Sequence, residues 1–202
     1  MIALVKSLTL GLAVLVMALP IGICRIERRL SARDDWFIFF AQAISIVPGF
    51  PGRFLRKAYY GFTLDACPFD CDIGFLSWFT HPQSLVGAHV YIGHHVTLGR
   101  IEIGDGVMIG NHACFLNGGA QHRFDAAGNL TAFDRDALTP LRIGERSWIG
   151  EQAVVMADIG AQCIVGAASV VSSPVREASV VAGNPARFVR RVVIGEDEAA
   201  LG

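Results

Sequence analysis

The sequence predicts an all-β core, a parallel β-helix wound from hexapeptide units, with an apolar helical region ahead of it. Three observations carry that prediction. From about residue 85 an aliphatic residue recurs every six positions, often followed by Gly. The recurrence stops once, within FLNGGAQHRFDAAGNL (residues 115–130), and resumes some twenty residues later. Residues 7–24 carry no charge at all between Lys6 and Arg25.

The chain of 202 residues is long enough to bury a core, and its net charge of −1 offers no basic footprint for nucleic acid. Its apolar bias is front-loaded. The eighteen residues SLTLGLAVLVMALPIGIC reach the lower limit for a membrane-crossing helix. The run exceeds a signal-peptide apolar core, and no small-x-small cleavage site follows it. The flank RIERRLSAR is strongly basic, whereas Lys6 alone precedes the segment, so the positive-inside rule puts everything after residue 25 in the cytoplasm. The expectation is a retained anchor at the cytoplasmic face of the inner membrane, with lipid as a partner.

WFIFFAQAISIV (residues 36–47) is too short to span and is closed by Pro48-Gly49-Phe50-Pro51-Gly52. Trp36, Phe37, Phe39 and Phe40 are too closely spaced for one helix face to bury, which favours the membrane surface over packing on the protein. Arg53, Arg56 and Lys57 beside Tyr59 and Tyr60 suit a headgroup region. Residues 1–62 therefore read as an anchor with an interfacial segment, and 63–84 as a connector.

Residues 85–191 read as the β-helix, with an excursion at 121–140. The hexads begin at Val86, Ile92, Leu98, Ile103, Ile109 and Phe115, and after the break at Ile143, Ile149, Val155, Ile159 and Val165. Six residues make one flat side: a short strand whose first residue points inward, then a tight corner that calls for Gly or a small side chain. Three sides close a coil, so equivalent positions return about every eighteen residues and stack as ladders. Residues 192–202 are a C-terminal tail, of which GEDEAALG (195–202) reads as disordered. The five cysteines form no secreted disulfide framework, and Cys67 and Cys71 read as ordinary buried thiols rather than half of a zinc site.

RSWIGEQAVV (residues 146–155) and VGAASVVSSPVREASVVAGNPARFVRRV (residues 165–192) resemble the hexapeptide-repeat, left-handed β-helix acyltransferases. The AGNPAR segment is similar to the branch holding maltose, galactoside and xenobiotic acetyltransferases. The likeness covers about residues 84–191. It implies a left-handed coil, a homotrimer with active sites at the subunit boundaries, and acetyl-CoA as co-substrate, with no metal.

On this resemblance Asn117-Gly118-Gly119-Ala120-Gln121-His122-Arg123 matches a run that ends in the acceptor-activating histidine, with one additional residue before it. His122 is then the general base, and Asn117 and Arg123 stand beside the acceptor. The chemistry agrees: an alcohol is a weak nucleophile until its proton leaves, and a neutral imidazole suits that task near pH 7. Asp125, Asp134 and Asp136 are all candidates to orient the ring. Gly166-Ala167-Ala168-Ser169 corresponds to the family's pantetheine-binding stretch, so Ala167, Ala168 and Ser169 are expected at the donor. Ser172-Ser173 replaces a Thr-Lys pair and removes a cation, leaving Ser173 and Arg187 near the CoA phosphates, with Arg176, Arg190 and Arg191 nearby in sequence. Trp148 would wall the site.

The activity so implied is O-acetylation of a saccharide hydroxyl, and the anchor points to a lipid-linked envelope or exopolysaccharide glycan. Two rivals remain at this stage. One is a non-catalytic β-helix scaffold. The other is a zinc hydratase of the γ-class carbonic anhydrase type, suggested by His89 and His94. Cys114 as an acyl-carrying nucleophile lacks an adjacent base.

Overall fold

The computed structural model describes residues 2–31, 33–117, 125–130 and 138–193. It opens with helices α1 (Ile2–Leu30), α2 (Asp35–Ser45) and α3 (Gly49–Thr63). Pro20 lies inside α1, and the turn from α2 to α3 is made at Val47-Pro48-Gly49, where Gly49 takes a positive φ of 63°. One stripe of α1, namely Ala13, Met17, Ile21 and Cys24, is buried in the same core as Phe37, Ala41 and Ile44 of α2 and Phe54, Ala58 and Tyr59 of α3. Trp36 and Phe39 stay exposed on α2, so its aromatic run is divided between core and surface.

The strands follow as three flat sheets. One holds, in spatial order, β1 (Asp72–Ile73), β4 (Tyr91–Ile92), β7 (Met108–Ile109), β10 (Trp148–Ile149), β12 (Ile164–Val165), β14 (Ser179–Ala182) and β15 (Arg187–Arg191). The second is β13 (Val170–Val171), β11 (Val154–Val155), β8 (Cys114–Phe115), β5 (Thr97–Leu98) and β2 (Trp78–Phe79), and the third is β3 (Leu85–Val86), β6 (Ile101–Ile103) and β9 (Leu141–Ile143). All pairings are parallel except β14 with β15, a closing hairpin that contains the cis Asn184–Pro185 bond. The register runs Asp72, Tyr91, Met108, Trp148, Ile164, Val180, one coil per step, and the Met108-to-Trp148 step contains the excursion.

Every aliphatic or aromatic residue that opens a hexad, from Val86 to Val165, is buried. The prism begins earlier than residue 85, however: Ile73 and Phe79 are also inward-facing and buried, and β1 and β2 pair with β4 and β5. The segment 63–84 is thus largely the first coil, which was hidden because Thr80 replaces Gly after Phe79. Two positions before these residues a second inward site is filled, by aliphatic side chains such as Val96 and Ile101 in some coils and by Ser, Ala or Cys in others. Serines there join coils: the Ser77 hydroxyl donates to Gly93 O (2.6 Å) and accepts from Val96 N–H (2.9 Å). Ser147 does the same with Gly160 O (2.9 Å) and Cys163 N–H (3.0 Å). A hydroxyl in a dry interior stays only where it is paired, and these are.

The helical layer is fastened to the prism by Arg56, which is 2% exposed. Its guanidinium donates to Ile73 O (2.9 Å) on β1 and to Val47 O (2.9 Å) and Ile44 O (3.3 Å) at the end of α2. A helix C-terminus presents carbonyls without partners, and a cation there satisfies both their hydrogen bonding and the helix dipole.

Candidate active site

The prism is interrupted between β8 and β9, and the neck of that excursion is a defined structure. The Asn117 carboxamide accepts from Arg100 N–H (2.7 Å) and donates to Arg100 O (2.6 Å) and Thr139 O (3.0 Å), tying the two ends of the loop together. Arg100 adds a bond from Nη1 to Leu138 O (3.0 Å). Asn117 is therefore a corner strut. It repeats what Asn111 does for His94 N–H (2.7 Å) and Asp105 does for Ala88 N–H (2.7 Å). These three residues are six apart in sequence, and that phase, rather than the acceptor motif, explains the side chain in this protomer.

His122 and Arg123, with Gly118, Gly119, Asp134 and Asp136, lie outside the described residues. Asp125 is described and is occupied: its carboxylate accepts from Ala127 N–H and Asn129 N–H (2.9 Å each) and from Asn129 Nδ2 (3.2 Å). The hydrogen bonds from Asn129, backbone first, hold it below the usual carboxylate range. It closes a turn of its own within the excursion.

The residues expected at the donor fall into two groups. Trp148, 54% exposed on the outer face of β10, shares a cavity of about 370 Å³ with Ala167, Tyr91, Met108 and Glu151. Ala168 turns the adjacent corner with φ 57° and donates its N–H to Glu151 O (2.7 Å). Ser169 is internal: its buried hydroxyl accepts from Gly183 N–H (3.0 Å), as the other serine struts do. Its side chain is thus not available to a ligand in this protomer. Ser173 and Arg187 meet Arg176, Phe188 and Arg191 around a second cavity of about 460 Å³ at the C-terminal end of the prism. Arg191 also donates to Glu177 O (2.6 Å). Trp148, Ile164, Val180 and Arg190 are successive register partners, so three strand spacings, roughly 14 Å, separate the backbone of Trp148 from that of Arg190 in the closing hairpin.

His94, His95 and His112, which their polar hexad positions mark as outward and solvated, gather at one corner of the prism. His95 and His112, both with φ near 60°, stack their rings 4.6 Å apart. His94 accepts from Phe75 N–H (2.9 Å), and Asn111 donates to Glu151 (2.9 Å) beside them. The stacked pair is 17 residues apart, about one coil, and that spacing was the available signal. His89 sits at a different corner and pairs with Asp70 (3.1 Å), so the two histidines of the hydratase alternative are held apart from each other. Among the described residues no three His, Cys, Asp or Glu side chains are grouped to hold a metal. Cys114 is half-buried and burial raises its thiol pKa, which leaves it protonated and poorly nucleophilic at neutral pH.

No family model matches the chain. It is 31% identical over 120 residues to a chloramphenicol acetyltransferase of Klebsiella aerogenes, a match that takes in 50% of this chain and 56% of that protein. The chain thus spans little more than half the length of that relative. Among solved structures, it resembles a hexapeptide-repeat-containing acetyltransferase of Vibrio cholerae O1 biovar eltor complexed with acetyl coenzyme A. The TM-score there is 0.57 at 24% identity, covering 81% of this chain and 91% of that one. A galactoside acetyltransferase in complex with coenzyme A gives 0.56 at 19% identity, covering 77% and 78%. The fold is accordingly that of hexapeptide-repeat acetyltransferases, with parallel sheets consistent with a left-handed β-helix, and the chain has sequence relatives that are acetyltransferases.

Proposed function

We propose that the protein is an acetyl-CoA-dependent O-acetyltransferase that modifies a saccharide hydroxyl on a membrane-linked glycan, at the cytoplasmic face of the inner membrane. What carries the reading is a prism broken by one excursion whose first residues include His122, in a chain 31% identical over 120 residues to a chloramphenicol acetyltransferase. That relative is named for chloramphenicol as its acceptor. The apolar helix α1, long and apolar enough to cross a membrane, supports an acceptor held in lipid.

In this mechanism the His122 imidazole takes the acceptor's hydroxyl proton as the oxygen attacks the thioester carbonyl. A C–O bond forms, the tetrahedral oxyanion is held by backbone N–H groups, and the C–S bond breaks. The imidazolium returns the proton to the departing CoA sulfur. The outer row Tyr91, Met108, Trp148 offers an apolar wall for the pantetheine arm, with the Ala167-Ala168 corner beside it. Ser173 and Arg187, with Arg176 and Arg191, offer donors for the phosphates. The flatness of that exposed row suits a second prism laid against it, in agreement with a homotrimer that closes the groove.

Mass spectrometry of envelope glycans from cells with and without this chain tests the reading. Loss of one acetyl increment in its absence is the expected result. An unchanged glycan profile, together with no thermal shift of the purified chain on adding acetyl-CoA, would leave a scaffold in its place.

A further inference from the structure

We infer that α1 lies in the plane of the lipid surface as part of a monotopic platform and does not cross the bilayer. This rests on the membrane attachment proposed above and specifies its geometry. Among the described residues, the large aliphatic side chains exposed on α1 are Val5, Leu8, Leu12, Leu15, Val16, Leu19, Ile26 and Leu30. At 3.6 residues per turn they fall within roughly 100° of one another. The buried stripe Ala13, Met17, Ile21, Cys24 occupies the opposite side.

The apolar face also continues past the charge-free segment. Ile26 and Leu30, 58% and 82% exposed, extend it beyond Arg25 and alongside Arg28 and Arg29, which leave the helix on its other sides. A crossing helix is polar all round beyond the bilayer core, whereas α1, charge-free between Lys6 and Arg25, carries its exposed apolar stripe on past Arg25 with cations flanking it, which suits an interface with anionic lipid.

Packing gives an independent argument. Cys24 meets the Tyr59 hydroxyl (3.4 Å), Arg25 reaches Phe62 O (3.4 Å) and Arg28 pairs with Asp65 (2.5 Å). Each contact joins residues 35 to 37 positions apart, so α1 and α3 run in parallel, and Arg53 and Lys57 stand level with Met17 and Ile21. Arg53 and Lys57 are ion-paired with Asp72 of β1. The only charge-free stretch able to span is residues 7–24, and standing it upright would carry these three charges and the first coil to mid-bilayer. Charges at that depth are strongly disfavoured. Laid flat, α1 keeps them on the aqueous side.

The experiment uses the full chain with an epitope tag ahead of Met1, expressed in a bacterial host. Membranes are separated from cytosol, and the tag is challenged with protease in spheroplasts and in inverted vesicles. The chain is expected in the membrane fraction, with the tag cut only in inverted vesicles, on the same side as the β-helix. A tag cut in intact spheroplasts would overturn the in-plane geometry and leave membrane attachment standing. A cytosolic chain, its apolar face covered by a second copy, would overturn both. As a second arm, Ile26→Glu and Leu12→Glu, both at exposed sites, are expected to lower binding to anionic phosphatidylglycerol vesicles to a similar extent, several-fold each. Unchanged binding of Ile26→Glu beside loss in Leu12→Glu would speak for a crossing helix.

Discussion

The Asn117 carboxamide joins Arg100 and Thr139 across the neck of the excursion, so its replacement separates the loop's placement from its chemistry. Asn117→Ala strands an N–H and two carbonyls, and we expect a loss of about 1–3 kcal/mol in chemical denaturation. The same variant is expected to lower kcat/KM for the acceptor while the affinity for acetyl-CoA holds. The phase that identifies this strut was present in the sequence as Asp105, Asn111 and Asn117. It was outweighed by a motif that begins on the same residue. Ser169 repeats the lesson, since its inward hexad position matches those of Ser77 and Ser147. Residue chemistry was legible where the repeat's phase was read before the motif.

At the scale of elements, the coils depend on corners that admit no Cβ. A Cβ on Gly144 would lie 2.3 Å from Ala161 N in the next coil, a contact that only backbone movement relieves. Gly144→Ala is expected to cost about 1–3 kcal/mol, read as a lowered urea midpoint. The Arg56 fastening is the corresponding feature of the helical layer. Arg56→Met keeps most of the side chain's volume but leaves the Ile73 and Val47 carbonyls unpaired, and we expect a loss of roughly 3 kcal/mol. The strands from Val86 to Val165 could be read directly because the inward residue returns after six positions, with shortened steps only after Leu98 and Val155. The first coil could not, since Thr80 breaks the Gly pattern. Arg56 was read as an interfacial cation, because sequence alone does not say that four backbone carbonyls surround it.

For the whole molecule, the seam between helices and prism carries a pH dependence. Burial alone would raise the Asp72 carboxyl, but hydrogen bonds from Arg53 and Lys57 outweigh it and hold the group below its ordinary value. The unfolded chain therefore binds the proton first. This contribution is complete above the ordinary carboxylate pKa of about 4 and is lost as pH falls through the lower folded value. Asp72→Asn should flatten the acid side of the stability profile, measured by thermal unfolding in detergent from neutral pH downward. An unaltered acid limb would place the dependence elsewhere. The overall architecture, helices followed by a hexapeptide prism with one excursion, was legible from the apolar run, the repeat and its break. The way α1 lies along α3 was not, because composition marks a helix as apolar but does not say which element it packs against.

The reading as a whole rests on acetyl transfer that begins at His122. The most direct measurement follows radiolabel from acetyl-CoA into extractable glycolipid, using purified full-length chain and membrane extract, beside a His122→Ala variant. We predict labelled glycolipid with the unmodified chain and a fall of about 100-fold or more in the variant, with acetyl-CoA binding retained by calorimetry. Label transferred equally by both proteins, or no transfer by either, would contradict it.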